Sequence, residues 1–272
     1  MQSIRPAAVS GMFYPDDPGE LAAMLRDFLA EARPAPMARV PKALIAPHAG
    51  YIYSGSVAAS AYALLRPARE SITRVILIGP VHRVWTPGLA LPGVDAFETP
   101  LGRVAVDQDA IAAIDGMRQV QVHPAAHARE HSLEVQLPFL QSVLDDFTLV
   151  PLAVGGAGPE AVAEVLEALW GGAETLIVAS SDLSHFLAYD QAQHVDRATV
   201  HEILVFNSHL VGEQACGCHA INGLLLAAHK RGLVPHLLDL RNSGDTAGDR
   251  ERVVGYAAIA FTEALAEDRH VH

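Results

Sequence analysis

Fourteen histidines and only two cysteines stand in this chain of 272 residues. Imidazole titrates near neutrality and, when neutral, binds transition metals, so the neighbours of each histidine decide whether it can do chemistry. His48 stands in Ala46-Pro47-His48-Ala49-Gly50-Tyr51, His82 in Gly79-Pro80-Val81-His82, and His185 in Ser180-Ser181-Asp182-Leu183-Ser184-His185. Each follows a short apolar run. Histidine and cysteine ligands from distant parts of a chain form three-ligand sets that hold a catalytic metal and leave coordination positions open. The expected set is His48, His82 and Cys216; Cys218 and His219, beside it in Cys216-Gly217-Cys218-His219, are alternative ligands. His185 suits proton abstraction with Asp182 to orient it, although capping the turn is a plainer role for that carboxylate. His123, His194, His201, His209, His229, His236, His270 and His272 read as ordinary surface or core residues.

Two rival chemistries share these residues. His127-Ala128-Arg129-Glu130-His131 matches the H-x-x-E-H pattern of inverted zinc proteases, but three fixed positions are a weak signal in so histidine-rich a chain. Pro124 before it, and Ser132 placed to cap a helix from Leu133, make the segment a loop leading into a helix, with His131 as a wall of the site. Serine hydrolysis would use Ser180, Ser181, Asp182 and His185, but there is no G-x-S-x-G elbow, and groups so close in sequence cannot reach one another as a triad. A structural zinc pair at Cys216-Gly217-Cys218-His219 lacks the second cysteine pair that would close a thiolate site.

The elements that must position these residues are legible in the apolar pattern. Continuous apolar runs at 43–46, 74–78, 89–91, 148–154, 175–179, 236–240 and 253–261 predict strands buried on both faces. Helical periodicity predicts helices over 19–32, 55–65, 108–114, 133–144, 160–169, 191–206 and 221–229. Strand and helix alternate, which predicts an α/β fold: a mostly parallel central sheet flanked by helices. Pro34–Pro41 reads as a short linker, and no repeat or composition break divides residues 1–272, so a single domain is expected. In open α/β sheets ligands bind outside the carboxyl ends of the strands, which is where His48, His82 and His185 fall.

Composition narrows the partners. Thirty-one acidic residues against 19 Lys and Arg give a net charge of -12, opposed to binding a polyanion. The opening Met1–Pro6 lacks the apolar stretch of a signal peptide, and no later run approaches the ~18 apolar residues of a membrane span. The two cysteines, one residue apart, suit a reducing compartment, so a cytoplasmic protein without nucleic-acid or membrane partners is expected.

Six motifs, in order, resemble the Memo family, whose bacterial and archaeal members are called AmmeMemoRadiSam system protein B. They are Ala46–Tyr51, Gly79–His82, Glu130–Pro138, Ser180–His185, Cys216-Gly217 and Asn242–Asp245, and the likeness runs from about Arg5 to Phe261. The family's fold is similar to that of class III extradiol dioxygenases, the LigB-like enzymes that open catechol rings with iron(II) held by two histidines and a glutamate. The resemblance implies His48 and His82 as histidine ligands, Cys216 as the third, His185 with Asp182 as the acid/base, and His131 lining the pocket. A thiolate in place of the carboxylate shifts metal preference toward copper(I), zinc or a differently poised iron. The expectation is a non-haem iron or copper oxidoreductase acting on a small molecule, iron(II) first and copper or zinc as alternatives. Tyr51 and Tyr53 are expected to contact the substrate. The other readings are a zinc hydrolase and a non-catalytic module binding a peptide, since animal Memo proteins are regarded as signalling effectors that bind phosphopeptides. The bacterial family name implies radical-SAM and AMMECR1-type proteins as partners by association.

Overall fold

The structure is a computed structural model describing residues 2–35 and 37–264, so His270 and His272 lie outside the described residues. In chain order the strands are β1 Ile4–Arg5, β2 Ala43–Ala46, β3 Arg74–Pro80, β4 Leu89–Leu91, β5 Ala96–Thr99, β6 Gly102–Ala105, β7 Val120–Val122, β8 Thr148–Val154, β9 Thr175–Ser180, β10 His185–Leu187, β11 Leu233–Asn242 and β12 Val253–Glu263. The helices are α1 Pro18–Glu31, α2 Tyr51–Tyr62, α3 Gln108–Ile114, α4 Pro124–Ala128, α5 Leu137–Val143, α6 Pro159–Ala168, α7 Tyr189–Leu204 and α8 Cys218–Lys230.

A nine-stranded sheet runs in the order β10-β12-β2-β9-β3-β8-β4-β7, with β11 alongside β12. Its centre, β2-β9-β3-β8, is parallel. The flanks are mixed: β12 runs antiparallel to β2, β10 and β11, and β4 antiparallel to β8. The single α/β domain expected from the apolar pattern is therefore present, with a parallel core and antiparallel margins. The margin strands β11 and β12 extend beyond the predicted runs, because antiparallel partners tolerate the polar, half-exposed residues that those runs left out. A small sheet, β1-β5-β6, and the short strands β7 and β10 carry too few apolar residues to have been predicted.

Alternate residues of the central strands serve opposite layers. Leu44, Ala46, Val75 and Leu77 face α1, α2 and α5, whereas Ala43, Ile45, Ile76 and Ile78 face α3, α6, α7 and α8. That two-sided burial is why the strands read as unbroken apolar runs. At the start of α1, Asp17 accepts hydrogen bonds from the Gly19 and Glu20 amides and Pro18 occupies the first turn. Among the described residues no helix is long and apolar enough to cross a membrane.

Candidate metal centre

Because β2, β9 and β3 are adjacent and parallel, their carboxyl ends open on one edge of the sheet. His48 lies two residues beyond β2, Ser180 ends β9, and His82 lies two residues beyond β3. A fourth segment, Arg129–Gln136, leads into α5 and crosses the same edge, bringing His131. The ligand-capable nitrogens of His48, His82 and His131 all lie within 4.8 Å of one another, one such group among the described residues. Ring centroids are 5.2 Å apart for His48 and His82, 5.4 Å for His48 and His131, and 4.7 Å for His82 and His131. The side chain of His48 is 2% exposed, that of His131 17%, and that of His82 30%, so access falls on the His82 side.

Hydrogen bonds decide which nitrogen of the His48 and His82 rings is left for a ligand. Ser180 Oγ has one hydrogen, donated to the Ser132 carbonyl at 2.6 Å, and it accepts from Gln136 Nε2 at 2.8 Å. His48 Nδ1, 2.8 Å from the same oxygen, must therefore donate, which leaves the lone pair on Nε2. Gln136 is held in turn by donating to the Pro47 carbonyl and accepting from the Tyr62 hydroxyl, both buried. Glu130 serves the other two rings: its Oε1 is 2.8 Å from His82 Nδ1 and 3.3 Å from His131 Nδ1. It also accepts from the backbone amides of His82, His131 and Ser132. Burial opposes its ionisation, but the bonds and charge of His82 together with these amides outweigh that cost and hold the carboxyl down at about 2. His48 and His82 thus have Nδ1 hydrogen-bonded, and His131 Nδ1 lies beside the Glu130 carboxylate, which leaves Nε2 as the ligand-capable nitrogen of each ring.

Burial, and then the charges of His131 and His82, push the His48 imidazolium well below its usual range; burial, against the pull of Glu130, brings His131 down to about 4. Three imidazoles whose ligand-capable nitrogens converge are a donor set for a transition metal, and the residues fit one.

Cys216 stands beside this group. Its Sγ is 3.3 Å from His48 Nε2 and accepts from the Asp182 amide at 3.4 Å. Burial, then the charge of Asp182, pushes the thiol up to about 12. Gly217 allows the approach: a Cβ there would lie 2.7 Å from both the Ser180 carbonyl oxygen and Ser181 Cβ. Asp182 is buried, accepts from the His48 amide at 2.8 Å, and has its carboxyl raised to about 7, chiefly by burial. His185 Nδ1 lies 2.8 Å from the Leu183 carbonyl, an acceptor only, so the neutral ring presents a basic Nε2. Burial lowers its imidazolium too.

The other candidates fall elsewhere. Tyr51 is 1% exposed, packs on Tyr14 and Phe139, and donates its hydroxyl to the Val135 carbonyl at 2.7 Å. Tyr53 is half-buried, with its ring near Gly50. Cys218 packs into the apolar layer between α8 and the sheet, and His219 is exposed. His127 of the H-x-x-E-H run is buried with Nε2 2.7 Å from the Ala90 carbonyl, so it does not join His131 in a zinc pair. Glu134, in the Glu130–Pro138 motif, binds Arg5 at 2.5 Å and accepts from the amides of Ala8 and Val9 and from Tyr14, tying the amino-terminal segment to the site. Sequence reasoning missed the roles of Glu130, Gln136 and Ser180 as supports. Their polar side chains inside an otherwise apolar motif were the available signal.

Residues 5–260 match the Memo family, described as Memo-like protein. A MEMO1 family protein of Archaeoglobus fulgidus is 35% identical, covering 95% of this chain and 99% of the relative. One from Methanopyrus kandleri is 36% identical over 94% of this chain and 98% of its own length. One from Sulfolobus acidocaldarius is 33% identical over 95% and 99%. A match of that extent, over a chain whose motifs meet at one edge of the sheet, makes this chain a member of the Memo family.

Proposed function

We propose that the protein is a metal-dependent oxidoreductase acting on a small molecule, with His48, His82 and His131 holding iron(II) or copper and Cys216 as a further donor beside His48. The observation that carries this reading is that three imidazoles bring ligand-capable nitrogens within 4.8 Å of one another while Nδ1 of His48 and His82 is hydrogen-bonded to Ser180 and Glu130 and Nδ1 of His131 lies 3.3 Å from Glu130. Iron or copper, when bound, supplies one-electron chemistry that no side chain here provides. The chain does the rest. Glu130 keeps two rings in the binding tautomer and supplies negative charge behind them. His185, with Nδ1 held by Leu183, is placed to take a substrate proton on Nε2. The burial of His48 and Asp182 excludes water from the inner wall.

The test is metal analysis of anaerobically purified protein, wild type beside His131→Ala, Cys216→Ser, Glu130→Gln and His185→Ala. Close to one iron or copper per chain is expected for wild type and for His185→Ala, which should lose turnover but keep its metal. Loss of the ring-orienting carboxylate in Glu130→Gln should weaken metal affinity by about 10- to 100-fold. Failure of wild type to retain or take up metal on anaerobic reconstitution would sink the proposal. Zinc alone, with hydrolysis of ester or amide probes, would make the site a hydrolase.

A further inference from the structure

Among the described residues two other than glycine have positive φ, and both are phenylalanines: Phe206 at 59° and Phe186 at 60°. The fold accounts for the first. Phe206 follows the last turn of α7, where a left-handed residue closes a helix, and its ring packs on His229 and Phe261 at 5.1 and 6.2 Å. Phe186 has no such return. It lies at an irregularity of β10, where His185 pairs with Val254 but Leu187 pairs with Val253, so it is the extra residue of a bulge. Its side chain is 61% exposed, so burial does not recover the cost of holding a bulky residue in the left-handed region.

What the bulge achieves is placement. The Phe186 ring meets His185 edge-on, centroids 5.7 Å apart and planes at 72°. The guanidinium of Arg252 sits over the ring at 5.0 Å from its centroid. Arg252 is exposed and has no ion-pair partner among the described residues, although carboxylates outnumber cations in the chain. An unpaired guanidinium retains the forked donors that bind carboxylate or phosphate. With one partner on a face and another on an edge, the ring keeps apolar surface free beside the proposed base.

We propose that Phe186 and Arg252 form the substrate-gripping wall of the site: the strained ring is a platform that stacks a planar ligand beside His185, and Arg252 selects a ligand bearing an anionic group. This rests on the reading of His185 as the residue that takes the substrate proton. Phe186 is then a specificity-determining residue, and its backbone strain is kept because the relaxed conformation would carry the ring off the bulge.

Isothermal titration of metal-loaded protein with 1-naphthoate and with neutral 1-naphthalenemethanol tests this, with metal content measured on the same samples. Wild type should bind the naphthoate more tightly. Phe186→Gly, which suits the backbone but lacks the ring, should weaken both ligands by about ten-fold, and Phe186→Tyr should restore them. The same glycine should raise the melting temperature by about 1–3 °C, since the relief of strain outweighs the contacts that a largely exposed ring makes with His185 and Arg252. Arg252→Gln should cost the naphthoate about five-fold and leave the alcohol unchanged. Metal-loaded wild type that ignores naphthoate, equal binding by Phe186→Gly, or a fall in its melting temperature would overturn the proposal. Naphthoate binding without any metal would support the wall and defeat only the reading of the centre.

Discussion

β2 and β9 carry a buried polar cluster at each end, and the two clusters are built on opposite rules. At the amino ends, the buried amine of Lys42 donates to the carbonyls of Trp170, Gly172 and Thr175 at 2.6, 2.7 and 2.7 Å. Three donors meet three acceptors, and nothing is left over. At the carboxyl ends, His48, His82 and His131 hold ligand-capable nitrogens within 4.8 Å of one another, and two carboxyls, Asp182 and Asp196, are buried without a Lys or Arg beside them. Phe186, strained and exposed, belongs to the same end. The closed cluster holds the fold together; the open one carries costs that a ligand can offset.

That contrast can be broken from either side. The largest effect should come from Lys42→Met, which takes the donor from the buried carbonyls of Trp170 and Thr175 at about 1–3 kcal/mol each before relaxation and should lower stability by about 2–5 kcal/mol in urea denaturation. Metal content per folded chain should not change. If metal binding fell in proportion, the two ends would be one unit and the distinction would fail.

Next in size is a dependence on pH at the open end. Asp196 is buried against Gly255, accepts from the Ser184 amide at 3.0 Å, and has its carboxyl raised by burial to about 6. The folded chain therefore retains a proton that the unfolded chain releases at the usual carboxylate pH. Its contribution is most favourable below about pH 4 and declines as pH rises through about 6, where the ionised group is fully paid for in the fold. Asp196→Asn removes that slope while keeping an acceptor for Ser184. Relative to wild type it should gain about 2–3 kcal/mol between pH 4 and pH 7. Parallel wild-type and variant stability curves over that range would show that the carboxylate costs nothing there.

The smallest effect sharpens the comparison. Tyr62→Phe removes the hydroxyl that donates to Gln136 at 2.7 Å, three links from His48. Stability should fall by about 1 kcal/mol. Metal affinity should fall only a few-fold, as measured by competition with a chelator, since Gln136 keeps the Pro47 carbonyl and Ser180 as partners. A loss as large as that of Glu130→Gln would make the buried chain a ligand-tuning device in its own right.

Much of the open end was legible in the sequence because it lies at strand ends: the apolar runs before His48, His82 and Ser180 place all three on one edge once the strands are parallel. The closed end was not legible. Lys42 reads as an ordinary residue before a strand, and its three acceptors are backbone carbonyls around residues 170–175, which carry no sequence signal. The grouping of His131 with His48 and His82 was hidden for a related reason. It depends on Glu130 reaching 48 positions back along the chain to His82, a contact set by how the Arg129–Gln136 segment crosses the sheet. Antiparallel β12 was visible as an apolar run, but its direction was not, because an apolar run is the same read either way.

The hydroxyl of Ser180 has one further consequence. It points at the Ser132 carbonyl, and that orientation makes His48 a donor on Nδ1 and leaves the lone pair on Nε2. The His48 ring therefore takes its working tautomer only after the segment carrying His131 has docked on the sheet. Metal uptake on refolding should then lag behind sheet formation, which would make the metal a clock for the last step of assembly.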